Sequence, residues 1–122
     1  MMQMLSRNPA AIYRRIELDA RIEASGRADL TRICLEEALA GIGRVVAAFD
    51  RGLAPPREPL ARAQSIMVWL AQSVAPGHPL GASLRQFYGG LASQIGANIL
   101  QPDAAAMRRV MSDIRDLLEA AG

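Results

Sequence analysis

Apolar and polar positions alternate most regularly between Leu80 and Ala121, where two stripes lie on either side of the break Gln101-Pro102-Asp103. In the second arm Met107, Val110, Met111, Ile114, Leu117, Leu118 and Ala121 recur three and four apart, the spacing that keeps side chains on one face of an α-helix. Leu84, Phe87, Tyr88, Leu91, Ile95 and Ile99 do the same in the first arm. A hairpin of this kind cannot bury its stripes alone, so further helices must pack on it.

The upstream sequence supplies them. After Asn8 and Pro9, a cap and a first-turn residue, Ile12, Tyr13, Ile16, Leu18 and Ile22 make a short, irregular stripe. Beyond Ser25-Gly26, Asp29 opens a helix whose apolar positions run from Leu30 to Phe49 and cover more than one packing face. Arg51-Gly52-Leu53-Ala54-Pro55-Pro56 ends it, because Gly suits a left-handed cap and paired prolines cannot continue the hydrogen-bond ladder. Leu60, Ala63, Ile66, Met67, Leu70 and Val74 form the next stripe, which the Ala75–Pro79 turn closes. The pattern predicts an all-α fold: an antiparallel up-and-down four-helix bundle with an additional short N-terminal helix, one domain over residues 1–122 with 1–8 flexible.

Glycines interrupt these helices at a cost of about 1 kcal/mol each relative to Ala. Close helix approach is the expected reason at Gly41, Gly43, Gly89 and Gly90. Trp69 falls beside its stripe, where it either anchors a partner or covers the bundle edge.

Composition narrows the function. Five aromatics leave a core of Leu, Ile, Val, Met and Ala. The fourteen basic residues are all arginines, and with a net charge of +2 they alternate with acids, as at Arg109 and Asp113 or Arg115 and Glu119. Nucleic-acid binding requires a basic stripe with stacking aromatics, and Arg14-Arg15 and Arg108-Arg109 are too sparse. The N-terminus lacks a signal-peptide core and no apolar run approaches the ~20 residues of a membrane span, so a cytoplasmic protein is expected.

Chemistry is thin. One cysteine cannot form an internal disulfide, and Cys34, within Ile33-Cys34-Leu35, reads as a buried structural thiol. The single His78 sits in a Pro-Gly-His-Pro turn, where a solvated loop residue is expected. Zinc spacing and the Glu-x-x-His pairs of di-iron bundles are missing, Glu36 and Glu37 point about 100° apart on a helix, and Gly89-Gly90 lacks phosphate-loop context. The expectation is a protein without catalytic residues, metal or cofactor, and therefore a binding protein.

Several segments together resemble the flagellar export chaperone family that binds flagellin. They are Tyr13, then Leu18-Asp19-Ala20-Arg21-Ile22, then Leu30-Thr31-Arg32-Ile33-Cys34-Leu35-Glu36-Glu37-Ala38-Leu39; the helix Leu60 to Leu70; Leu80-x-x-x-Leu84-x-x-Phe87-Tyr88; and Asp103 at the turn. The departures are Gly89-Gly90-Leu91 in place of the family's Asp-Tyr-Met, Ala92-Ser93 or nearby residues in place of its following Arg-Arg, Asn98 one place early, and Ala120-Ala121 in place of Ala-Trp. The resemblance implies a cytoplasmic bundle that binds the C-terminal segment of flagellin, prevents premature polymerisation and delivers it to an export-gate component. Ile12, Tyr13 and Ile16 would then be a displaceable cover. The partner-binding candidates are these three with Leu35, Ile42, Trp69, Tyr88 and Leu91. The alternative is a structural or regulatory bundle without that client, homodimerising through the apolar face around Leu35, Ile42 and Phe49.

Overall fold

A computed structural model describes residues 27–121. They form helices α1 (Arg27–Asp50), α2 (Arg57–Ser73), α3 (Gly81–Leu100) and α4 (Ala104–Ala121), with no strand among the described residues. The expected leading helix, with Ile12, Tyr13 and Ile16, lies outside them. The chain forms two compact units, Met1–Ile33 and Cys34–Gly122. The described part of the first is the opening of α1, Arg27–Ile33; the second holds the rest of α1 with α2, α3 and α4.

Within the second unit, contacts between helices fix an up-and-down order. Glu37 meets Arg62, and a Cβ on Gly41 would lie 3.4 Å from the Pro59 carbonyl oxygen, so α1 and α2 run antiparallel. Asp50 pairs with Arg108 and Gly43 faces Met111, which sets α4 antiparallel on the other side of α1. Short turns join α2 to α3 and α3 to α4. Ile42, Val45, Met67, Ile95, Met107, Val110 and Ile114 are wholly buried in the centre. Among the described residues no helix is long and apolar enough to cross a membrane.

Gly52 does what its position predicts. At φ +69° it takes the left-handed conformation, its N–H bonds the Phe49 carbonyl at 3.0 Å, and Leu53 N–H reaches back to Ala48 at 2.9 Å. This pair of bonds is the Schellman arrangement that satisfies carbonyls at a helix end.

The α3–α4 turn depends on Asn98, the buried polar residue of the described core. Its Nδ2 donates to the Gln94 carbonyl at 3.0 Å, while its Oδ1 accepts the Asp103 N–H at 2.7 Å. Asp103 in turn caps α4, its Oδ1 accepting the Ala106 N–H at 3.1 Å. An asparagine one place earlier than in the resembled family is therefore the residue that closes this corner.

The structure corrects two readings of α3. Phe87 belongs by spacing to the core stripe but is 39% exposed. A Cβ at Gly89 or Gly90 would meet nothing within 4 Å, so close approach does not explain them. Space is filled instead at Gly96, where the Gln64 side chain of α2 occupies the place a side chain would need and donates from Nε2 to the Ala92 carbonyl at 3.4 Å. Ala92 and Gly96, small and four apart on one face, carried that signal in the sequence. Gly43 has only ordinary contact with Met111.

Replacing Asn98 by Ala strands the Asp103 N–H and is expected to lower stability by about 1–3 kcal/mol, read as a fall in the denaturant midpoint at constant slope. The glycines should separate in the same assay. Gly89→Ala raises stability by about 0.5–1 kcal/mol, and Gly96→Leu lowers it by about 1–3 kcal/mol through overpacking against α2.

Candidate functional site

From Ala63 to Pro102 the chain carries one formal charge, Arg85. On the solvent-facing side of α3, Arg85 is therefore the one charge, and Ser83, Gln86, Phe87, Gly90, Gln94 and Ala97 form an exposed, uncharged stripe beside it. On α4 the exposed positions include Arg108, Arg109, Arg115, Asp116 and Glu119. Helix faces that meet only water usually carry charge, whereas the centres of protein interfaces are depleted in it and enriched in aromatic residues. The side of α3 shares the depletion of charge and presents one aromatic ring, Phe87. On α2, Val68 and Trp69 add exposed apolar surface at 42% and 43%.

α3 lies closer to α2 than to α4. On its looser side an open groove of about 280 Å³ is lined by Ser83, Gln86, Phe87, Gly90, Leu91 and Gln94, with Asp113 of α4 at the edge. Gly90 contributes no side chain, so the groove stays empty beside the Phe87 ring. The volume is below the ~300–1,000 Å³ of small-molecule pockets and suits one or two side chains of a docking helix.

The expected partner-binding residues divide. Trp69 is exposed beside Val68 on α2, as an anchor requires. Leu35, Ile42 and Leu91 are at most 1% exposed and Tyr88 6%, so they belong to the core and a partner reaches them only after helices separate. The broad apolar coverage of α1 is taken up by burial: Ile33, Cys34, Leu35, Ala38, Ile42, Val45 and Val46 are all buried. With Phe49 half-buried, the face around Leu35, Ile42 and Phe49 is not presented for dimerisation. Phe87 and Gly90, which do line the exposed face, escaped the reading by periodicity. The signal that finds them is the forty-residue interval with a single charge.

The groups with chemical potential are otherwise engaged. His78 is exposed in its turn, where Nδ1 accepts the Leu80 N–H at 3.0 Å. Arg62 Nε approaches Glu37 Oε2 at 3.1 Å between α2 and α1, an ion pair about one-third exposed. Among the described residues no three His, Cys, Asp or Glu side chains converge as metal ligands. Cys34 is a buried free thiol. No protein-family model, curated protein or solved structure matches the chain.

Burial, and then the Glu37 carboxylate one turn along α1, push the Cys34 thiol pKa up; burial does the same to the Tyr88 phenol. Both raise the folded-state value above that of the unfolded chain, so the neutral forms contribute stability that is complete at lower pH. That contribution is lost as pH rises past the ordinary values of 9.0 and 10.0. Stability measured by denaturant is expected to fall with pH from there, with a shallower slope for Cys34→Ala. In the folded protein a thiol reagent at pH 8 should modify Cys34 much more slowly than in the denatured chain.

Proposed function

We propose that this protein is a chaperone for flagellar export, binding the C-terminal segment of flagellin in the cytoplasm and holding it back from polymerisation until delivery. The observation that carries this reading is the uncharged stripe of α3 from Ser83 to Ala97, with its open groove beside Phe87. A disordered amphipathic tail would order into a helix by laying its apolar residues into that groove, at roughly 25 cal/mol per Å² of apolar surface buried, less the ordering entropy. Covering the tail's apolar stripe removes the surface through which it would assemble.

Further support comes from the order of the segments that resemble the family. Leu30 to Leu39 falls in α1, Leu60 to Leu70 in α2, Leu84 to Tyr88 in α3, and Asp103 caps α4. The departure at Gly89-Gly90 changes the client face and leaves the core intact, since neither glycine fills space between helices.

The test is titration of the full chain with a flagellin C-terminal peptide, followed by the fluorescence of the single Trp69 and by calorimetry. Association at micromolar concentration or tighter is expected. Phe87→Asp should weaken it at least about tenfold, with helical content unchanged, because a charge replaces the apolar wall of the groove. An absence of association at micromolar concentrations removes the reading.

A further inference from the structure

Leu80, Ser83, Phe87, Gly90, Gln94 and Ala97 follow each other at intervals of three, four, three, four and three. That is the spacing of a coiled-coil seam. All six are exposed, Leu80 at 61%. Their sizes alternate: Leu, Phe and Gln stand out, while Ser, Gly and Ala between them leave hollows. Read in reverse, the seam is complementary to itself, because Leu80 then falls opposite Ala97, Ser83 opposite Gln94, and Phe87 opposite Gly90.

We propose that, when no client is bound, α3 pairs antiparallel with α3 of a second copy of this chain, about a two-fold axis passing between Phe87 and Gly90. Each Phe87 ring enters the space above the other copy's Gly90. Ser83 and Gln94 hydrogen-bond across the seam on both sides of that centre, and each Leu80 covers an Ala97.

Three observations select a second copy as the occupant. The first is the self-complementary order, since a two-fold contact sets residue i against j and j against i. The second is charge: a two-fold face meets its own charges, and this seam has none. The Arg85 guanidinium packs over Gly81, off the seam, and Asp113 belongs to the α4 flank of the groove. The third is the empty space at Gly90, where nothing lies within 4 Å of a built Cβ, so the hollow is open in the single copy. Small residues at alternate seam positions allow the helix axes to come within about 8 Å.

This face is also the one assigned to the client, so second copy and client compete for it; the pairing rests on the seam and holds whatever the client is. The dimer face around Leu35 and Ile42 is buried, and self-association moves to α3.

Sedimentation velocity of the full chain at about 5–200 µM tests the pairing, and a dimer whose population rises with concentration is expected. Gly90→Phe sets two rings against each other and should give a monomer over that range; Phe87→Ala removes the ring and should do the same. The double variant Phe87→Ala/Gly90→Phe exchanges ring and hollow and should restore the dimer. Circular dichroism should show unchanged helical content in each. A wild-type monomer at every concentration overturns the pairing, as does a dimer indifferent to Gly90→Phe or a double variant that stays monomeric. A monomer that still binds the flagellin peptide leaves the chaperone reading standing, while a dimer obeying these substitutions without binding the peptide retains the pairing and removes that reading.

Discussion

The seating of the Gln64 side chain of α2 against Ala92 and Gly96 fixes the bearing of α3, and most of what this molecule presents to its surroundings follows from it. A helix advances 100° per residue, so one position held against a neighbour fixes the bearing of all the others. With Gly96 and Ala92 turned to α2 through Gln64, Leu91, Ile95 and Asn98 point into the core. The positions from Leu80 to Ala97 on the exposed seam then lie about 100–200° around the helix from Gly96, away from α2. A side chain at Gly96 would have to displace the Gln64 amide and with it the bond to the Ala92 carbonyl.

Element order, the proline and glycine breaks and most of the core were legible in the sequence, because apolar periodicity and backbone chemistry are local signals. Gly52 and Asp103 act at the helix ends where their residue types place them. What the stripes could not give was the width of the buried arc. Phe87 has the spacing of a core residue, and it lies outside because α4 packs loosely on that flank of α3. Gly89 and Gly90 are adjacent, so they point in two directions and cannot make a flat contact. Ala92 and Gly96, a turn apart, can.

The candidate site was less legible for a related reason. Apolar spacing marks Leu35, Ile42, Tyr88 and Leu91 as readily as a surface anchor, and these four are core because apolar side chains are first used to hold the bundle together. The informative quantity was where charge is missing. On α4 the exposed face is kept soluble by arginines and acids, and the core is built from the opposite side of the same helix. On α3 the outer side has one charge, Arg85, and at Gly90 no side chain. Polar but uncharged residues such as Ser83, Gln86 and Gln94 keep such a face soluble and lose little when a partner displaces their water.

The corner built by Asn98 bears on the order in which the chain acquires structure. Its hydrogen bonds join residues no more than five apart, from Gln94 to Asn98, Asn98 to Asp103 and Asp103 to Ala106. Closing so short a loop costs little chain entropy and does not wait for distant segments to meet. The turn can therefore close early, but α3 has its larger contact with α2, so the interaction face takes its final bearing only when α2 docks.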